Sequence, residues 1–425
     1  MLLRFSVQNH LSMRRPQALS LLASALKDVE AGLIECSASP DANVLPAAII
    51  YGSNASGKSN LVAAIRYLCW TVLFSHRRGE PGGGVPRTPF ALDPACAEEP
   101  SIFDADFVID GSRYHYGFEA LDDRFSAEWL HAFPNNRRQL LFERNEQDFR
   151  FGRGLKGRNR VIADLTRPNS LFLSAAAQND HEQLSEVVGF FRSLRCDTEI
   201  AVRGPLASMS LTDDDMDARV IKFLERIGTG VIDYRRLEQE IPEELQVFER
   251  ELNAVLQKVA KGHLEIAAEE KKRRSIIELA HRGHGGEAIF FDLERESAGT
   301  RRLLLLLGHV FRALDTGSVL VVDELDASLH TKACEAILEL FSTPETNPHG
   351  AQLIATTHDT NLLGSPLLRR DQVWFTEKDR EGATHLYPLT DIRTRKGDNV
   401  EKGYLQGRYG AIAFSGPLHD LVTTS

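Results

Sequence analysis

The sequence predicts an α/β protein with a mostly parallel core sheet, an antiparallel β layer and an inserted helical lobe. Three observations predict it. Gly52-Ser53-Asn54-Ala55-Ser56-Gly57-Lys58-Ser59 matches the whole G-x-x-x-x-G-K-[ST] phosphate-loop pattern, between a short apolar run and a helical stripe. A second apolar run, Ser318 to Val322, ends in the acid pair Asp323-Glu324, as a buried parallel strand would. Between them, residues 102–118 alternate apolar and polar with the period of a half-buried strand.

In chain order, Leu2 to Val7 alternates as a first strand ending near Asn9, and Ala47 to Tyr51 is a buried strand entering the loop. Leu61, Ile65, Leu68 and Val72 then recur at helical spacing. The two glycines let successive backbone N–H groups face an anion, and the following helix directs its positive end at the same place. A nucleotide is therefore expected at Gly52–Ser59, with Asn60 next to it. Lys58 is suited to its β- and γ-phosphates and Ser59 to Mg²⁺. Gly79-Glu80-Pro81-Gly82-Gly83-Gly84 is a break.

Phe103, Ala105, Phe107 and Ile109 alternate, Asp110-Gly111 signals a hairpin, and Tyr114, Tyr116 and Phe118 alternate after it. The basic, glycine-containing stretch Arg153 to Arg160 suits a solvated loop better than a phosphate or nucleic-acid contact. Asn169 to Ser174 has the composition of another buried strand, followed by Ala175-Ala176-Ala177-Gln178. Thr212-Asp213-Asp214-Asp215 is a helix start, with Val220, Ile221, Leu224 and Ile227 on one face and Gly228 as the stop. Pro242 opens a second helix running to Gly262. Leu264-Ile266 and Ile276-Leu279 pair as a hairpin around a solvated turn, Glu269 to Arg274. His281 and His284 fall in a glycine-rich loop without the further ligands a metal needs. The expected organisation is a first half of the nucleotide-binding head at 1–180, a helical lobe at 181–284 and the second half of the head at 285–425.

At 425 residues the chain is long enough for two lobes, and its net charge of −10 argues against bulk coating of nucleic acid. Five scattered cysteines without a C-x-x-C pair suit reduced thiols rather than a disulfide frame or zinc site. No apolar run reaches the length of a membrane span, and no signal peptide opens the chain, so a soluble cytoplasmic protein is expected.

Acids at the carboxyl end of a parallel strand fall beside the phosphate loop in open α/β sheets. Asp323 would then hold Mg²⁺ and Glu324 would orient or deprotonate the attacking water. Gln352 to His358 is a strand delivering a histidine, placed to sense a γ-phosphate. Ser297-Ala298-Gly299-Thr300, before a Leu-rich helix, makes a second helix N-terminus suited to an anion. Two such ends far apart in one chain point to a site completed between subunits.

This order of motifs resembles the ABC-type ATPase heads shared by SMC, RecF and OLD-family proteins. The resemblance makes Gly52–Ser59 the Walker A loop, Ser297–Thr300 the signature motif, Asp323 and Glu324 the Walker B acids, Asp326 the D-loop and His358 the switch histidine. The signature departs from the family pattern, reading Ser-Ala-Gly-Thr in place of Ser-Gly-Gly-Gln. No motif fixes the Q-loop glutamine, for which Gln178 is the candidate. The opening Phe5-Ser6-Val7-Gln8-Asn9, the segment Asp323 to His330 and the tail Glu401 to Ile412 are similar to stand-alone RloA-like AAA-type proteins of bacterial defence loci. The resemblance implies ATP and Mg²⁺ as cofactors, a homodimer or higher homo-oligomer, and a separate effector, RloB-like or a nuclease, and it leaves room for DNA or RNA. The competing reading is a RecF-like repair ATPase bound to DNA, for which the pairs Arg137-Arg138 and Lys272-Arg273 leave room. A nuclease on the same chain lacks an H-E-x-x-H or zinc-ligand cluster, and a GTPase lacks the N/T-K-x-D motif. The Gly403–Gly410 segment, rich in Gly, Tyr and Arg, either meets a partner or closes the lobe.

Overall fold

The computed structural model describes residues 1–26, 28, 32–38, 42–197, 216–240, 247, 251, 273–395 and 397–412. Two compact units make up the chain: residues 1–197 with 312–425, and residues 198–311.

In the first unit the core sheet has six strands, in the order Arg195–Asp197, Val319–Val322, Gln352–Thr356, Ala47–Gly52, Val373–Lys378 and Thr384–Pro388. The first five run parallel, and Thr384–Pro388 returns antiparallel as a hairpin. Ala47–Gly52, Val319–Val322 and Gln352–Thr356 are buried at every position, as continuous runs covered on both faces must be. Because the three are parallel neighbours in register, their carboxyl ends open on one edge. The phosphate loop, Asp323-Glu324 and His358 follow those ends directly.

The antiparallel layer has seven strands, from Asp148–Phe151 at one edge through Gln139–Asn145, Phe125–Ala132, Ser112–Ala120, Ser101–Ile109 and Leu2–Gln8 to Gln17–Ser20. Alternation sorts its faces. Phe103, Ala105, Phe107, Tyr116 and Phe118 enter the same core as Leu61, Ile65, Leu68 and Val72 of the Lys58–Arg78 helix. On the opposite face Arg4 pairs with Asp104 at 2.6 Å and Arg113 with Asp106 at 2.6 Å. All five cysteines are free thiols. Among the described residues no helix is long and apolar enough to cross a membrane.

The strand expected at Asn169 to Ser174 is instead the start of a helix, Phe172–Gln178. Phe172 to Ala176 are all buried, so the run carries no periodicity to distinguish helix from strand. A distant residue decides it. The fully buried Glu128 carboxylate accepts from Phe172 N at 2.6 Å and Leu173 N at 2.9 Å, two first-turn amides that have no partner within a helix. Burial pushes the Glu128 carboxyl above the usual range, against the opposing pull of buried Arg144 and these amides. Arg144 in turn donates to Ser170 O at 2.6 Å.

In the second unit the Ala218–Arg226 helix buries Val220, Ile221 and Leu224 as expected and ends before Gly228, whose φ is +82°. Its cap is Asp217, which accepts from Arg219 N at 2.8 Å; Thr212 to Asp215 lie outside the described residues. The segment read as helical also carries a three-stranded antiparallel sheet of Val231–Glu240, Arg273–Arg282 and Ala288–Asp292. Ile276 to Leu279 pairs with Val231–Glu240, and Glu278 and Leu279 also with Ala288–Asp292. Arg273 and Arg274 belong to the strand rather than to a turn, and so does His281, whose Nε2 meets Glu296 Oε1 at 2.8 Å. Leu264 to Ile266 and nearly all of the Pro242 to Gly262 helix lie outside the described residues.

Replacing Glu128 by Ala leaves two buried amides without their acceptor and the buried Arg144 guanidinium without its counter-charge, 3.9 Å away. The expected loss is about 3 kcal/mol, read as a lower urea midpoint of the intact protein. Tyr116→Phe removes only the 3.0 Å hydroxyl bond to Glu128 and should lose about 1 kcal/mol.

Candidate functional site

The Ala47–Gly52 strand runs into a loop that turns sharply back into the Lys58–Arg78 helix. Gly57 caps that helix with φ +108°, in the left-handed region, and Ala55 sits at +62°. A Cβ at Gly57 would collide with Thr384 Oγ1, and one at Gly52 with Thr376 Oγ1 and Ser56 Oγ. Both motif glycines are thus fixed by close approach, and Gly57 by its backbone conformation as well. Asn54, Ala55 and Ser59 are exposed at the rim, and Asn60 is half-buried.

Lys58 is 5% exposed. Its Nζ donates to Gly52 O at 2.8 Å and Ser53 O at 3.1 Å. Burial lowers the ammonium's pKa, while the charges of Asp323, Asp326 and Glu324 pull it back up. The three acids are therefore within electrostatic reach of the loop lysine, across the Gln352–Thr356 strand that separates Val319–Val322 from Ala47–Gly52.

Thr356, at the end of the intervening strand, organises the acid pair. Its Oγ1 donates to Asp323 Oδ1 at 2.5 Å and accepts from Glu324 N at 2.7 Å. Glu324 takes a φ of +53°, uncommon for a residue with a Cβ and characteristic of functional turns. Leu325 N bonds Thr356 O at 2.9 Å, which ties the turn after the acids to the same strand end. Asp326 reaches back to accept from Thr357 Oγ1 at 2.8 Å and from His358 N at 3.2 Å. Asp323, Glu324, Asp326 and His358 are thus joined in one hydrogen-bonded cluster, with the His358 and Glu324 side chains exposed.

Ser297 and Thr300 lie in the second unit. Ser297 Oγ accepts from Thr300 N at 3.0 Å, with Thr300 Oγ1 at 2.8 Å, so the serine caps the Ala298–Thr316 helix and Gly299 lies in its first turn. Gln178 is the exposed last residue of the Phe172–Gln178 helix. The strand that led to it as a Q-loop candidate is absent, and its premise goes with it.

Sequence reasoning missed four hydroxyl residues around the loop: Ser12, Thr356, Thr376 and Thr384. Thr356 had a signal, lying at the end of a buried strand two residues before His358. The other three come from segments remote in sequence and belong to no motif. The tail packs beside the loop strand. Tyr404 stacks on Phe375 at 5.5 Å, and Tyr51, at the end of the loop strand, lies 6.1 Å from Tyr404. Tyr387 Oη donates to Tyr409 O at 2.9 Å and Tyr404 Oη to Ala411 O at 3.0 Å. The Gly403–Gly410 segment packs on the core sheet of its own chain through Tyr404 and Tyr409, with Leu405, Gln406 and Arg408 exposed.

The fold and the loop define a nucleotide-binding ATPase domain. Residues 47–364, well over half of the chain, match the family described as "AAA domain, putative AbiEii toxin, Type IV TA system". The chain belongs to this family and is an ATP-hydrolysing enzyme. Two solved structures show a distant likeness. An Smc head bound to the C-winged helix domain of ScpA is 13% identical with a TM-score of 0.41, covering 91% of this chain and 96% of that one. An Smc head with an extended coiled coil, bound to the C-terminal domain of ScpA from Pyrococcus furiosus, is 14% identical with a TM-score of 0.36, covering 92% and 97%. No curated protein matches the sequence.

Thr356→Val keeps the volume of the strand end but removes the link between Asp323 and the Glu324 amide. The expected result is a steady-state ATPase rate lower by about 10- to 100-fold, as misplacement of reacting groups costs, in a protein that still folds and is destabilised by only about 1 to 2 kcal/mol.

Proposed function

We propose that the protein is a nucleotide-gated dimerising switch: two copies close around ATP, and hydrolysis releases them and signals to a separate effector. The observation that carries this reading is the pair of helix N-termini in one chain. One follows the phosphate loop; the other is capped by Ser297. A second copy supplying Ser297, Gly299 and Thr300 gives the γ-phosphate side of each nucleotide its donors.

Lys58 and the amides of residues 52–60 bind the phosphates in this reading. Ser59 and Asp323 offer hard oxygen donors of the kind Mg²⁺ takes, and they are the residues that would hold it. The ion supplies charge neutralisation on the β- and γ-phosphates. Glu324, presented by its left-handed turn, orients and deprotonates the attacking water. His358, its backbone held by Asp326, senses the γ-phosphate, and Asp326 keeps the turn after the acid pair in register with that histidine.

The setting we infer is phage defence in the cytoplasm, with an RloB-like protein or a nuclease as effector. Its support is the family's description, which names a putative toxin, together with the RloA-like stretches at Phe5 to Asn9, Asp323 to His330 and Glu401 to Ile412. A RecF-like DNA-binding role is the second reading. It is favoured by one observation: Arg153, Lys156 and Arg158 along one loop, and Arg160 in the first turn of the helix after it, are all exposed on an otherwise acidic chain. DNA binding that weakens steeply with salt and strengthens with ATP would support it over the first.

Glu324→Gln should retain ATP binding while hydrolysis falls by about 100-fold or more, as removal of a general base does. With ATP it should elute from size exclusion as a larger species than the parent protein. A variant that stays monomeric with ATP and hydrolyses at the parental rate sinks the reading.

A further inference from the structure

The phosphate loop is held from behind by side chains that lie outside the family match. Thr384 begins the last strand of the core sheet and is 1% exposed; Ser12 sits in the turn after the first strand of the antiparallel layer and is 7% exposed. Their backbones are joined by a bond of 2.7 Å from Thr384 N to Ser12 O, and their hydroxyl oxygens lie 2.8 Å apart. Thr384 Oγ1 also lies 2.8 Å from Ser56 O, and Asn60 Nδ2 donates to Ser12 Oγ at 2.6 Å.

Thr384 Oγ1 is the donor to both neighbours, its one proton shared between Ser12 Oγ and the Ser56 carbonyl, and Ser12 Oγ also accepts from the Asn60 amide. The line of contacts runs Asn60 to Ser12 to Thr384 to Ser56. One end is on the loop at Ser56 and the other at Asn60 in the first turn of the helix after it, on either side of Gly57 and Lys58. A second strut comes from the same hairpin: Ser56 Oγ meets Thr376 Oγ1 at 2.7 Å, and Thr376 Oγ1 donates to Tyr51 O at 3.3 Å.

From this geometry we infer that Thr384, acting with Ser12, is a positioning residue for ATP binding. It clasps the loop across Gly57 so that the amides which receive the phosphates are preorganised. Gly57, at φ +108°, packs directly on the Thr384 side chain, and any residue with a Cβ would strike it. The loop therefore keeps its left-handed turn against a wall supplied by the C-terminal hairpin. Preorganised donors bind without the cost of ordering, so loosening the clasp should raise the ATP concentration required and leave the chemical step nearly unchanged. The inference rests on the reading that Gly52–Ser59 binds the nucleotide.

The test compares Thr384→Val, Thr384→Ser, Ser12→Ala, the Ser12→Ala/Thr384→Val double variant and Lys58→Ala in the full chain. Readouts are titration with a fluorescent ATP analogue, steady-state KM and kcat, and the thermal midpoint as a check on folding. Thr384→Val should raise Kd and KM by about tenfold with kcat within about threefold of the parent, since one buried hydrogen bond to the loop is lost. Thr384→Ser, which retains the hydroxyl, should bind close to the parent. Ser12→Ala should weaken binding as well, and the double variant should be no worse than Thr384→Val, because one chain is broken twice. If folded Thr384→Val binds ATP as the parent does, or Thr384→Ser is as impaired as Thr384→Val, the clasp is overturned. Should Thr384→Val fail to fold, Ser12→Ala decides, and parental affinity there overturns the clasp equally. Lys58→Ala separates the two readings: parental ATP binding in that variant refutes the phosphate loop itself, whereas loss there with none in Thr384→Val refutes only the clasp.

Discussion

Burying an ammonium is unfavourable unless the protein returns what water provided, and Lys58 is buried almost completely. Two loop carbonyls take its protons, and the field of Asp323, Asp326 and Glu324 opposes the desolvation that would discharge it. This balance constrains much of the first unit. The loop must curl tightly enough to offer the Gly52 and Ser53 carbonyls to a side chain that starts six residues after Gly52. The acids must stand close by, and they come from a strand that is not the loop strand's neighbour. Parallel packing achieves this with Gln352–Thr356 as the spacer, since a parallel ladder holds three strand ends level on one edge.

Thr356 shows why the spacer strand is more than a filler. Its hydroxyl is at once donor to the Asp323 carboxylate and acceptor for the Glu324 amide. An apolar residue of the same shape would complete the sheet equally well but would leave the left-handed turn at Glu324 without its tether. Asp326 repeats the device one step further along by accepting from Thr357 and from the His358 amide. Acid pair and histidine follow different strands, yet each is tied by hydrogen bonds to the segment that carries the other.

The parts that could be read from sequence are those in which local chemistry and tertiary role coincide. The phosphate loop needs its glycines, lysine and serine whatever surrounds it, and Val319 to Val322 is apolar because it is central. Strand alternation at Phe103 to Ile109 and Tyr114 to Phe118 was legible because one face is core and the other carries ion pairs. Phe172 to Ala176 was misread because total burial erases periodicity, and the residue that makes it a helix, Glu128, is more than forty positions away. Val231–Glu240 passed unnoticed for the opposite reason. Only Val231 is buried, and the charged positions along it carry no apolar alternation. Ser12, Thr376 and Thr384 could not be found at all, because a single hydroxyl has meaning only once the fold has brought it to the loop.

Those hydroxyls also qualify what the matched range represents. Residues 47–364 contain the loop and the acids, but the surfaces on which the loop rests come from the first forty-six residues and from the chain beyond residue 364. Tyr404 and Tyr409 extend the same arrangement by packing on Phe375, the neighbour of Thr376 in the strand that flanks Ala47–Gly52. A loop whose glycines sit directly against foreign side chains cannot relax independently of them. Its conformation is a property of the closed core sheet, hairpin and tail included, and any movement of that hairpin would be felt at the phosphate-binding amides before it reached the acids.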